Sequence, residues 1–183
     1  MTPSSILFII LQLCSLQLMA VSMPTCQMQA NVVKETHQAL RDLGGSFPAH
    51  CLQYNVNISF PYSAFPATTA GHPHCRRASA VVYESLKGMQ QIFEDELPAE
   101  EGGVNWDNTK LSTFMILQDR LLEQGSCLST VSPNVLMSYF SNVTAVVQQE
   151  NSAVCGWKAL MRDVLEVLEI AQLKHETCFT RRR

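Results

Sequence analysis

No charged residue precedes Lys34 in this chain of 183 residues, and after the first twenty or so no second long apolar run follows. The second absence leaves no candidate for a membrane span within the body of the protein. The sequence lacks H-E-x-x-H, a Gly-rich phosphate loop and any C-x-x-C pair. Those gaps remove the local signatures of a zinc hydrolase, a nucleotide-binding site and a closely spaced zinc knuckle. Its many Ser and Asp residues form no motif in which a nucleophile stands beside a positioned base, so no enzyme is expected. Net charge is −3, with acids and bases interspersed. No strong field of one sign is available to attract nucleic acid or a membrane surface. The terminal "RRR" is the only run of three basic residues, and it reads as a solvated tail. Internal repeats are absent.

What is present begins with the apolar stretch "ILFIILQLCSLQLMAV" inside residues 1–22. Ala20 and Ser22 supply the small residues that signal peptidase favours, so cleavage is expected after Ser22. The alternative is an uncleaved signal anchor, because no basic residue leads the run. Gln12, Ser15 and Gln17 interrupt the run, which favours cleavage. Residues 1–22 are therefore assigned as a signal peptide and residues 23–183 as one domain, placing the mature protein outside the cell. A chain of that size can bury about two-thirds of its unfolded surface.

Six cysteines remain after Cys14 is removed: Cys26, Cys51, Cys75, Cys127, Cys155 and Cys178. In a secreted chain an even count reads as disulfides, although six cysteines allow fifteen pairings. Two sequons, at Asn57 and Asn142, suit the same export route as candidate glycosylation sites.

Helical periodicity recurs five times. A first helix runs from about Gln27 to Leu43 and stops at Gly44-Gly45. A proline-bearing stretch to His74 lacks the period and reads as an ordered loop. The second helix spans about Cys75–Leu97, with Ala78, Val82, Met89, Ile92 and Phe93 near one face. The third runs from near Trp106 to Gln124, with Phe114, Leu117, Leu121 and Leu122 at helical spacing. Trp106-Asp107 reads as its start, with the acid near the positive end of the helix dipole. The fourth begins after Ser132-Pro133 and carries Val135, Leu136, Tyr139, Phe140, Val143, Val146 and Val147. The fifth, "SAVCGWKALMRDVLEVLEI", turns Val154, Trp157, Leu160, Met161, Val164, Leu165 and Leu168 inward. Its opposite ridge is Lys158, Arg162, Glu166 and Glu169.

The fold is therefore expected to be all-α: a five-helix bundle whose first connection, about 30 residues, is long enough to cross its length. A long first crossover marks the up-up-down-down topology, in which the first two helices run parallel. That topology puts Cys51 and Cys155 together at one end of the bundle. They can pair only with each other, because a disulfide spans about 4.4–6.8 Å between Cα atoms. The other four fall at the opposite end and allow three pairings; Cys26–Cys127 with Cys75–Cys178 is preferred. Each bridge closes a loop of about a hundred residues, for roughly 3–5 kcal/mol in the chain-entropy model.

Three segments then resemble the type I interferon family. "CLQYNVNISFPYSAF" (51–65) is similar to its first long loop, and "MQQIFEDELPAEEGGVNWD" (89–107) to its junction of second and third helices. "YFSNVTAVVQQENSAVCGWK" (139–158) is similar to the helix leading into its cysteine-alanine-tryptophan motif. The resemblance implies the bridges Cys26–Cys127 and Cys51–Cys155. Cys75 and Cys178 lie outside the family's usual four, and Gly156 stands where alanine is usual; such departures suggest a fish or other non-mammalian member.

The resemblance further implies a secreted, monomeric cytokine that binds a two-chain class II helical cytokine receptor and triggers JAK/STAT antiviral signalling. One receptor chain would meet the first long loop and last helix, through Leu52, Tyr54, Arg162, Leu165 and Glu166. The other would meet the second, third and fourth helices. Asn55 stands where the family often has an arginine. Leu165 reads equally as core, and Arg162 with Glu166 equally as a solvated i, i+4 pair. The rivals are a lambda-interferon or interleukin-10 relative and, in a different class, a secreted amphipathic-helix lipid carrier. "HPHC" (72–75), with His72, His74 and Cys75, could suggest zinc, as could His50 beside Cys51. An oxidised sulfur is no thiolate ligand, however, so neither metal nor cofactor is expected.

Overall fold

The last helix is the axis on which the rest is assembled. In a computed structural model of the chain, which describes residues 26–54, 58–67, 72–96, 106–131, 134–149 and 151–180, five α-helices follow one another. They are α1 (Ala30–Gly44), α2 (His72–Glu96), α3 (Asn108–Gly125), α4 (Asn134–Val147) and α5 (Ala153–Lys174). Short 3₁₀ turns sit at Ala49–Tyr54, Tyr62–Ala64, Ser126–Val131 and Glu176–Cys178. No strand occurs among the described residues. Residues 1–22, expected to be the signal peptide, Asn55, Asn57 of the first sequon, the Ser132-Pro133 cap and the terminal arginines lie outside the described residues.

Helix α5 buries Trp157, Leu160, Met161, Val164, Val167 and Leu168, and leaves Val154 and Leu165 half-buried. A helix that is apolar around more than half its circumference needs neighbours on several sides, and α5 packs against α1, α2 and α4. Polar ties fix the directions. At one end, the Lys158 ammonium donates to the Gly44 carbonyl, joining the start of α5 to the end of α1. At the other, Thr180 N–H donates to Met28 O at 3.0 Å and Ala30 N–H to Thr180 O at 2.9 Å, a lone parallel bridge. Gln124 Oε1, near the end of α3, accepts from Gln29 N–H at 2.9 Å. Helices α1 and α2 thus run together, with α3 and α5 antiparallel to them, and α4 lies antiparallel along α5. This is the up-up-down-down bundle with one additional helix.

Local chemistry explains the boundaries. Asp107 caps α3: its Oδ1 accepts from the Thr109 and Lys110 amides at 3.0 and 3.1 Å, satisfying two of the donors a helix start leaves open. Gly45 ends α1 with φ 60°, a left-handed value that favours glycine. The observed α1 starts later than the sequence suggests, at Ala30, because Gln29 is extended, which lets Met28 O accept from Thr180 N–H and Ala30 N–H donate to Thr180 O. Helix α2 starts earlier, at His72, since proline in the first helical turn has no donor to lose.

Three disulfides brace the bundle: Cys26–Cys127, Cys51–Cys155 and Cys75–Cys178, with Cα separations of 5.9, 5.1 and 4.8 Å. Between the ends, Phe93, Trp106 and Trp157 form an aromatic cluster. The Phe93 and Trp157 centroids lie 4.9 Å apart, and Trp106 meets Trp157 edge-on at 6.1 Å. Beside Trp157, Gly156 lets the end of α4 come close. A Cβ there would sit 2.9 Å from Val147 N and 3.2 Å from its Cα.

Candidate functional site

The turn Ala49–Tyr54 is held against α5 by the Cys51–Cys155 bridge, which puts the first crossover and the last helix on one surface. On it Leu52 is 58% exposed, a large apolar side chain held up to solvent by a backbone that the disulfide fixes. Tyr54 is half-buried against the core. Leu165 is half-buried and Glu166 exposed, so Leu165 divides its area between core and surface.

The charged residues of this face are tied internally. Arg162 forms a salt bridge to the adjacent Asp163 at 2.7 Å and sets its guanidinium over the Phe47 ring, 4.8 Å from the centroid. Asp163, almost fully buried on a helix otherwise rich in apolar residues, also accepts from the Tyr139 hydroxyl at 3.0 Å. Burial raises its carboxyl above the usual range, while Arg162 and the hydrogen bonds pull the other way. Glu166 accepts from the Tyr62 hydroxyl at 2.5 Å. Burial and that bond both push the Tyr62 phenol upward, so it stays a donor. Arg162 and Glu166 thus each have a partner off the ridge, Asp163 on the same helix and Tyr62 in the crossover.

Between the end of α1 and α5 runs a groove of about 170 Å³, lined by Leu40, Gly44, Phe47, Lys158, Met161 and Leu165 among others. Phe47, Tyr62 and Asp163 are contributors that sequence reading does not find. Phe47 and Tyr62 stand beside Pro48 and Pro61 in a stretch without periodicity. Asp163 sits on the apolar side of α5, where no rule of spacing singles it out.

Other exposed apolar groups lie on α3 and α4. Ile116 on α3 is 65% exposed and Met137 on α4 is 67% exposed. A groove of about 330 Å³ between α2 and α4 is lined by Glu84, Lys87, Gly88, Gln91, Met137 and Phe140, among others. Asn142 is exposed on α4. Of the candidate metal residues, His74 comes within 3.1 Å of His175, a partner absent from the sequence reading, while His50 stands beside the Cys51–Cys155 bridge. Among the described residues no helix is long and apolar enough to cross a membrane.

Comparison with known proteins follows the same outline. Residues 25–176 match the family model described as the interferon alpha/beta domain. Among solved structures, zebrafish interferon 2 superposes with a TM-score of 0.63 at 24% identity, covering 78% of this chain and 96% of that one. That likeness is one of fold. No curated protein matches the chain.

Proposed function

The chain belongs to the interferon alpha/beta family, and we propose that it is a secreted, monomeric cytokine acting by binding. It brings two chains of a class II helical cytokine receptor together so that their kinases activate STAT factors and an antiviral programme. Residues 1–22 direct export and are removed. Asn57 and Asn142 are its glycosylation positions.

The observation that carries this reading is the stapled face of the crossover and α5, within a chain whose family match covers residues 25–176. Leu52 is its apolar anchor, rimmed by Tyr54, Arg162, Leu165 and Glu166. The internal ties of Arg162 and Glu166 give those residues a second task, which is to hold the crossover in position before the receptor arrives. Preorganisation of this kind raises affinity by removing ordering costs from the binding step. The second receptor chain meets the face of α2, α3 and α4, where Ile116 and Met137 are the exposed apolar groups.

The test is to add the disulfide-bonded chain to cells of the source species and follow STAT phosphorylation over minutes. Phosphorylation that disappears when a receptor chain is knocked out establishes the cytokine. Silence across several responsive cell types refutes it.

A further inference from the structure

At the end of the bundle away from the receptor-facing turn, four residues from two distant segments converge. His74 Nε2 lies 3.1 Å from His175 Nδ1, and Cys75 is bridged to Cys178. The ligand atoms of His74, His175 and Cys178 all fall within 4.8 Å of one another. Two sequence spacings underlie this: His74 adjoins Cys75, and His175-x-x-Cys178 has the separation common among zinc ligands. An oxidised Cys75 cannot bind zinc, but that objection holds only while the bridge to Cys178 is closed.

We propose that the Cys75–Cys178 bridge and the His74–His175 pair are two states of one site, a disulfide when oxidised and a Cys2His2 zinc site when reduced. The reductive step is balanced by a phosphine or dithiol. Two electrons and two protons convert the disulfide to two thiols, the phosphine becoming its oxide with an oxygen from water, or the dithiol becoming a disulfide. Zinc then displaces both thiol protons.

The geometry suits the ion. With Zn–N near 2.0–2.1 Å and Zn–S near 2.3 Å, a tetrahedral site puts its nitrogens about 3.3 Å apart and nitrogen and sulfur about 3.6 Å apart. The imidazole spacing is already near the first value, and the Cys178 sulfur needs to move by about 1.2 Å at most; the Cys75 sulfur, outside that group of three, must swing in once the bridge opens. Two thiolates neutralise the divalent ion. The site also lies between the positive first turn of α2 and the negative last turn of α5, whose dipoles oppose each other. The sulfurs are reachable, because Cys75 and Cys178 line an open cavity of about 440 Å³ together with Arg76 and Thr177. Arg76, beside Cys75, favours the thiolate. In the oxidised chain the histidine pair is incompletely satisfied: Nδ1 of His74 is buried without a hydrogen-bond partner among the described residues. His50 with Cys51 and Cys155 makes a poorer set, since it brings one imidazole rather than two.

The experiment is zinc titration of residues 23–183 against a chromophoric chelator, before and after reduction with a phosphine, with helix content followed by circular dichroism. The oxidised chain should take up no zinc in competition. The reduced chain should hold one zinc per chain, at least tenfold more weakly in His74→Ala and unchanged in His50→Ala. His74 is half-buried, so its replacement tests the site even where His175→Ala fails to fold. Equal affinity in wild type and His74→Ala overturns the proposal, as does a reduced chain whose helix content is lost and not restored by zinc. Cobalt substitution gives an independent readout. A tetrahedral mixed nitrogen–sulfur spectrum is expected, and an all-thiolate or octahedral spectrum overturns the site.

Discussion

Replacing Gly156 with alanine sets two effects of known size against each other. In a helix interior, alanine is favoured over glycine by about 1 kcal/mol, so a free surface site would gain. At Gly156 the new methyl would lie 2.9 Å from Val147 N, 3.2 Å from Val147 Cα and 2.7 Å from its Cγ2. Comfortable contacts between such atoms are about 3.5–4.0 Å, so α4 and α5 must part by roughly half an ångström or more. Two of the three obstructing atoms are backbone, which no rotamer change can move. Overpacking of this kind costs about 1–3 kcal/mol, leaving a net loss of about 1 kcal/mol and a fall in Tm of about 2–4 °C for a domain of this size. Gly44→Ala is the control. Its methyl meets only the end of the unbranched Met161 side chain, Cε at 3.4 Å, and a neutral or slightly raised Tm is expected. Thermal and urea unfolding of both variants decide the matter. If Gly156→Ala melts higher than wild type, the close approach of α4 to α5 is not what glycine is there to allow.

Other outcomes can be stated briefly. Trp157→Ala should lose about 3–5 kcal/mol, as fully buried aromatics do, since its ring is 1% exposed against Phe93 and Trp106; an unchanged unfolding midpoint contradicts its place in the core. Asp107→Ala should cost about 1 kcal/mol through loss of the α3 cap, read by chemical denaturation, and no loss would remove the cap from the account. Leu52→Ala should stay within about 0.5 kcal/mol of wild-type stability yet weaken receptor binding in surface plasmon resonance; full affinity excludes Leu52 from the contact. His37 and His175 both have lowered pKa values, burial first among the causes. They therefore favour the fold fully above the ordinary imidazole pKa of about 6.5, and that stability is lost as pH falls below it. Tm should drop between pH 7.5 and 5.5, with a smaller drop in His37→Gln; equal slopes would clear His37.

The fold was legible where a local rule has one reading. The 3.6-residue stripes found all five helices, and the length of the first connection found their directions. Asp107 announced a helix start, and the Asp107 cap bears it out. The disulfides apart, side-chain contacts between residues about a hundred positions apart were not legible. Nothing in "HPHC" points to His175, and nothing around Tyr62 points to Glu166, because neither pair belongs to a periodic pattern. Asp163 was hidden for a different reason. It follows Arg162 on a helix read for its apolar face, and only the packing of α4 supplies Tyr139 as its second partner. Gly156 could be seen to depart from a family pattern, but a missing side chain carries no record of what occupies its space.

The order of the cysteines has a consequence for cleavage. Numbered along the chain, each of the first three is joined to the one three places later, so every bridge crosses the other two. A protease that cuts once between Cys26 and Cys178 always leaves its two fragments joined. One bridge spans a cut in the outermost intervals, two span a cut in the next, and all three span a cut between Cys75 and Cys127. A chain nicked in that middle interval would run as one band on a non-reducing gel and as two after reduction. Its helices would still be clasped, and a single clip there would mark the protein without dismantling it.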